Sequence, residues 1–375
     1  MNRNITILSL YLIFCTTVCA QKIKIGTYVF KDGAQYSGEL FSGKPYGKGK
    51  TVFKNGDVYE GEYVKGKRQG YGIYQFIDGE KYEGQWYQDQ QHGKGTYYFK
   101  NNNRYEGLWY RDYQQGIGTM YYYNGDVYNG EWEEDKRNGT GTYTYATGAY
   151  YKGSWVKDQK SGNGVFDWND GSRYEGSWAK NQRNGKGTFY YSDGDIYTGD
   201  WKDDIQNGKG IYKFQNGDIY EGQYSNGERV GEGILTYANG NKYTGNFING
   251  EFNGQGTYTW KNSARYEGVW KNNVRDGFGK YTWKNGDVYE GNWLKGEMNG
   301  DGILRLAIGE KFKGKFKNGK KEGFGIEEKK DGTRFEGNFH NGMKDGSFVE
   351  KDKNGNIIRK GVYRSDILQE SSSSN

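Results

Sequence analysis

Three residue types that usually staple, kink or operate a protein are nearly missing: the 375 residues include two cysteines, one proline and two histidines. Both cysteines, Cys15 and Cys19, fall in the first twenty residues, so a chain cut after Ala20 has none, and its stability must come from packing rather than disulfides. The two histidines, His92 and His340, lie far apart in sequence and each sits inside a repeating pattern, which argues against a catalytic or metal role. Net charge is also small. Lys plus Arg number 53 against 47 Asp plus Glu, a formal +6 spread along the chain without the clustered basic patch of a nucleic-acid binder.

Long apolar runs are missing too, with one exception between Ile5 and Val18. That run is shorter than the roughly 20 residues of a spanning helix. With Asn2-Arg3-Asn4 before it and the small residues Val18 and Ala20 at its end, it predicts a signal peptide over residues 1–20, cleaved between Ala20 and Gln21. The chain is then exported: periplasmic, cell-surface or secreted. The alternative is a membrane anchor formed by uncleaved residues 5–20. Thr16-Thr17-Val18 lacks the Leu and small residue expected before a lipidated Cys19.

Glycine (63) and tyrosine (37) are in large excess, a bias that points to repeats. The glycine of Tyr-x-Gly recurs every 23 residues, fourteen times, from Gly38 to Gly337, without insertion. Numbering each copy from this glycine, position −2 is Tyr, or Phe at Phe312 and Phe335. Position +2 is aromatic in every copy but the first, which has Leu40, and +9 is always Gly. Position +11 is Gly in all but the last copy, which has Phe348. Clear examples are Tyr59-x-Gly61, Tyr82-x-Gly84-x-Trp86 and Tyr105-x-Gly107-x-Trp109, followed by the pairs Gly130/Trp132, Gly153/Trp155, Gly176/Trp178 and Gly199/Trp201.

A spacing of two places residues on one face of a strand, so two rings and a bare backbone share a face. The second half, such as Gly95-Thr-Tyr97-Tyr-Phe99, does the same. Each copy therefore reads as two antiparallel strands, with the glycines leaving slots for rings. Asn-Gly or Asp-Gly pairs such as Asn55-Gly56 and Asp78-Gly79 mark one turn, and Gly, Asp or Asn at +5 marks the other. The predicted fold is all-β: an elongated single-layer antiparallel sheet, a meander of 23-residue hairpins advancing roughly 9 to 10 Å per copy. The predicted organisation is a half repeat at 21–37, an array at 38–361 with a degenerate C-terminal cap, and a polar, disordered tail at 362–375.

The unit Tyr59-Glu-Gly61-Glu-Tyr63, Gly70-Tyr-Gly72, Asp78-Gly79 resembles the MORN repeat (membrane occupation and recognition nexus), and the resemblance covers about residues 26–361. It implies an elongated single-layer sheet with a binding or scaffolding role toward membranes, cytoskeletal assemblies or protein partners, and dimerisation. A signal peptide ahead of the array departs from the intracellular members of that family.

No phosphate loop survives inspection, because the Gly-x-Gly pairs enter strands with no Lys-Ser/Thr after them. Asp352-Lys-Asn354-Gly-Asn356 resembles a calcium loop but has Ile357 where glycine is required and Tyr363 where the loop ends in Glu. The expectation is a non-catalytic protein with no cofactor and no metal. It binds a protein partner or a second copy through its repeat sheet, in particular the ring-rich face. The alternative is an anionic membrane surface, met by a basic edge at position +7 made of Arg68, Arg137, Lys160, Arg183, Arg229, Arg275, Lys321 and Lys344. The second alternative is cell-wall carbohydrate, with Tyr98, Tyr121 and Tyr190 on the face opposite the ring columns. The charges recurring on that opposite face, such as Glu60, Glu83 and Glu106, read as a solvated surface with weak cross-strand pairs.

Overall fold

The computed structural model describes residues 22–373, so the signal segment 1–20 and the Ala20–Gln21 junction lie outside the described residues. Two units are distinguished, residues 22–146 with 155–158 and residues 147–154 with 159–373. Among the described residues there are thirty-one strands and no helix. Within each unit sequential strands pair antiparallel, seven-residue strands alternating with nine-residue strands, as in Val58–Val64 and Lys67–Gln75 of the first unit. Arg173–Ala179 and Gln182–Tyr190 do the same in the second.

The two turns of a copy differ. Positions +4 and +5 both carry positive φ in all fourteen copies, from Ser42/Gly43 to Asn341/Gly342, which is the type I′ two-residue turn that matches strand twist. The Asn-Gly pairs instead occupy a longer loop. Gly56 N–H donates to the Phe53 carbonyl at 3.0 Å and Phe53 N–H to Asp57 at 2.9 Å, a type I turn closed by a left-handed glycine.

The glycines fall into two classes with separate causes. At positions 0 and +11 the space is taken: a Cβ on Gly72 would lie 2.2 Å from the Tyr59 hydroxyl, and one on Gly61 2.5 Å from the Gly72 Cα. Position +9 is set by backbone. Its φ is positive in every copy, between 58° and 113°, because the pairing passes from Gly61↔Gly72 to Tyr63↔Arg68 through a bulge at Gly70.

The ring-bearing face is closely packed around its −2 tyrosines. Each Tyr at −2 lies flat over the paired glycines and is 0 to 2 % exposed in all twelve copies that have it. Its hydroxyl donates to the carbonyl at +1, for example Tyr59 to Glu62 at 3.1 Å and Tyr105 to Leu108 at 3.0 Å. The Trp at +2 of its own copy and of the next stand edge-on to it, Tyr105 lying 5.3 Å from both Trp109 and Trp132. Each indole N–H donates to the +11 carbonyl of the copy before, as Trp132 does to Gly118 at 3.2 Å. Ring pairs of this geometry contribute roughly 0.5–1.5 kcal/mol beyond their burial.

The C-terminal segment differs from the expected disordered tail: Ile357–Arg364 and Ile367–Ser373 are paired strands. The reason is a type I′ turn at Ser365-Asp366, with φ of 46° and 65°. Its Asp366 carboxylate accepts from Lys344 N–H at 2.7 Å, as the corresponding carboxylates do in earlier copies.

Candidate interaction surface

The charged side chains at position +7 fold inward. Arg68, Arg137, Arg183 and Arg275 lay their guanidinium groups over Trp86, Trp155, Trp201 and Trp293, 4.3 to 4.5 Å from the ring centres. Lys160 sits 4.7 Å from Trp178, and Arg229 5.3 Å from Tyr220. Lys321 is 4.7 Å from Phe312 and Lys344 3.9 Å from Phe335. Arg137 and Arg183 also form ion pairs with Asp158 and Asp204 at 2.9 and 3.0 Å. In each unit these residues thus act as caps on the ring layer rather than as a free-standing row of cations. The cause is the short reach from +7 to the next copy's indole, whose electron-rich face attracts the cation.

The ring-rich face correspondingly offers little open ring surface. Burial pushes the phenols of Tyr174, Tyr220 and Tyr266 up to about 12, and that of Tyr105 higher still. Asp57 works the other way. Burial opposes its charge, but hydrogen bonds from Tyr74, the Ile77 amide and Asn55 outweigh that and hold its carboxyl below the usual range. Asp57 thereby ties one copy to the next.

The opposite face carries what sequence reading treated as solvated surface. In the second unit this face carries an open groove of about 1140 Å³, running from strand Arg173–Ala179 to strand Arg265–Lys271. Eight strand spacings at about 4.8 Å make it roughly 38 Å long. Its floor is the bare backbone of the paired glycines with Ile211 and Ile234 beside them, and its walls carry Glu175, Glu221, Glu232, Glu267, Lys186 and Lys209. The Lys186 ammonium lies 2.5 Å from Asp200 and holds that carboxyl below its ordinary range. The first unit has a smaller groove of about 590 Å³ on this face, lined by Tyr71, Tyr98, Leu108 and Ile117. Tyr98 and Tyr121 each meet a cation on this face, Lys81 and Arg104, at 4.3 Å, and Tyr98 and Tyr190 are equally exposed, at 37 %. The signal for the groove was present in the sequence as variation: positions +10 and +12 change from copy to copy, whereas −2 is always Tyr or Phe.

Among the described residues no group of three or more His, Cys, Asp or Glu is placed to hold a metal ion, and no helix is long and apolar enough to cross a membrane. His92 lies between the rings of Tyr87 and Tyr110, 5.6 and 5.3 Å away, and His340 contacts Glu322 at 3.2 Å.

Among solved structures the chain is similar to the TCP domain of SAS-4 (dCPAP) from Drosophila melanogaster, solved with a proline-rich motif of Ana2. That match has 18 % identity over 41 % of this chain and 85 % of that one, with a TM-score of 0.28. A mutant TCP10 domain of Danio rerio CPAP matches at 11 % identity over 76 % and 95 % with a TM-score of 0.16, and a streptogramin B lyase at 15 % over 72 % and 90 % with 0.13. Scores this low do not tie the folds together. No curated protein matches the chain. The MORN repeat model matches fourteen consecutive segments, beginning with residues 36–58 and ending with 335–357, in register with the 23-residue hairpins. The fold, the copy length and this unbroken match make the chain a member of the MORN repeat family.

Proposed function

We propose that the protein is a non-catalytic scaffold that holds an elongated polypeptide partner in the groove of its second unit. A repeat array of this family is a protein-interaction or membrane-binding device. The observation that favours a polypeptide is the groove itself. It is about 1140 Å³, runs the length of nine strands, has an apolar floor at Ile211 and Ile234, and carries four wall carboxylates against two ammonium groups. A site of that length exceeds any small ligand and suits a segment of about 25 helical residues. Its acidic excess favours a basic, amphipathic segment and disfavours an anionic lipid surface. The residues at −1, +10 and +12 recognise the partner, and the repeat columns hold them in place.

The test is differential capture from a cell-envelope extract by the wild-type chain and by Ile211→Asp/Ile234→Asp. A polypeptide held by the first and lost by the second supports the assignment. Equal capture by both overturns it, and so does co-flotation with anionic vesicles that exceeds polypeptide capture. Export through residues 1–20 belongs to the same proposal; N-terminal sequencing of the protein from its native source then begins at Gln21, and a sequence beginning at Met1 contradicts cleavage.

A further inference from the structure

The ring-bearing face of the first unit contains a second site of a different kind. Four arginines of this chain show how that face holds a guanidinium. The group stacks on an indole at 4.3 to 4.5 Å, and one Nη donates to the carbonyl of the residue at +5 in the next loop. Those bonds run from Arg68 to Asp89 at 2.7 Å, Arg137 to Asp158 at 3.1 Å, Arg183 to Asp204 at 2.8 Å and Arg275 to Gly296 at 2.6 Å. Where +5 is aspartate, Nε also meets its carboxylate, at 2.9 Å for Arg137 and 3.0 Å for Arg183. Ring, carbonyl and carboxylate form one recurring receptor.

In the copy centred on Gly107 the receptor is present without its cation. Position +7 is Gln114, whose side chain ends where an arginine stem would continue, and position +13 is Met120 in place of a ring. The result is an open cavity of about 430 Å³ lined by Trp109, Trp132, Asp112, Asp135, Gln114 and Met120, with Tyr97, Phe99, Tyr122 and Asp158 completing it. Gln114 is 4 % exposed, lines this cavity, and its side-chain amide makes no hydrogen bond among the described residues. That amide borders the open cavity, where a bound group can reach it. Asp135 accepts from the Gln114 backbone N–H at 2.8 Å, and Asp112 from that of Gln91 at 2.7 Å. Neither aspartate forms an ion pair among the described residues, whereas Asp89, Asp158 and Asp204 at the same position do.

We propose that this cavity binds a guanidinium group from outside the chain, carried by an arginine side chain of a partner polypeptide or by a free arginine-type molecule. Trp132 is 4 % exposed, so the Gln114 side chain moves aside to admit the guanidinium, which then lies over the indole and donates to the Asp135 carbonyl and carboxylate. No covalent step is involved. The site lies on the ring-bearing face of the first unit and shares no residue with the groove of the second.

The probe is N-acetyl-arginine methylamide, titrated at millimolar concentration into the full chain while the indole N–H signals of Trp132 and Trp109 are followed by NMR. The citrulline analogue, which has the same shape without the charge, and free arginine serve as comparators. The expected result is saturable shifts of those two signals, with citrulline weaker by about tenfold or more. Tighter binding of the blocked residue assigns the ligand to a polypeptide, and tighter binding of free arginine assigns it to a small molecule. Gln114→Arg supplies the cation internally, so it abolishes the response and raises the melting temperature. Asp135→Asn removes the charge but keeps the loop, because Asn181 and Asn273 make the same backbone bond, each at 2.8 Å; it weakens arginine binding and leaves citrulline unchanged. Equal binding of arginine and citrulline analogues overturns the proposal, as does a Gln114→Arg chain that binds like wild type.

Discussion

The two faces of the sheet are built from the same strands, yet one repeats and the other varies. On the ring-bearing face the copies from Gly38 to Gly291 all bury Tyr at −2, and every copy but the first carries a ring at +2. On the groove face, position +10 passes from Tyr71 through Lys94 to Ile117 in the first unit, and from Lys186 through Glu232 to Phe278 in the second. A side chain repeated at every step serves what every step needs, which is packing. A side chain that changes serves what is particular to one place, which is recognition. The cavity beside Gln114 fits the same rule, since that copy lacks both the cation at +7 and the ring at +13.

Alkaline pH produces the largest effect on this contrast. Burial raises the −2 phenols above their ordinary value of 10, to about 12 at Tyr174, Tyr220 and Tyr266. Their stabilising contribution is complete below pH 10 and is lost as pH rises through about 12. Strand circular dichroism is therefore expected to hold to pH 10 and collapse near 12, with buried tyrosinate absorbance appearing together with that collapse. Ionisation of all the tyrosines well below the loss of strand signal would break the account.

Next in size is Gly72→Ala, whose Cβ meets the Tyr59 hydroxyl at 2.2 Å. Overpacking of this kind costs about 1–3 kcal/mol, to be read from denaturant midpoints. An unchanged midpoint would show that the ring can move aside. Smaller again is Tyr174→Phe, which deletes the hydroxyl's bond to the Ser177 carbonyl at 3.1 Å and costs about 1 kcal/mol. Phe312 and Phe335 are natural versions of that change. Hydrogen exchange is expected to be faster in those last two copies than in the copies before them, and uniform exchange would contradict this ranking. Smallest is Ile211→Ser/Ile234→Ser, expected to shift stability by no more than about 0.5 kcal/mol per site while removing partner capture. A large loss of stability would make those residues part of the fold rather than of the site.

The uniform face was legible in the sequence because its causes are local. Tyr at −2 and glycine at 0 and +11 specify both strands and their register, and the +5 residues specify a turn. Three things were not legible. The bulge at +9 gives its glycine a backbone role that looks in sequence like another ring slot. The +7 cations look like an exposed edge, because only the fold shows that the next copy's indole lies within reach. The groove spans nine strands, and no window of one repeat contains it. The strand at Ile367–Ser373 was obscured by its run of serines, although Ser365-Asp366 carries the same turn chemistry as the earlier copies.

Photo-crosslinking tests the division of labour most directly. A benzophenone amino acid is placed at Thr188 or Thr244, which line the groove, and at Gln215 in an exposed loop as control, in protein held in its native envelope extract. The account predicts polypeptide adducts from both groove positions and none from Gln215. Adducts from Gln215 alone, or lipid adducts from the groove positions, would contradict it.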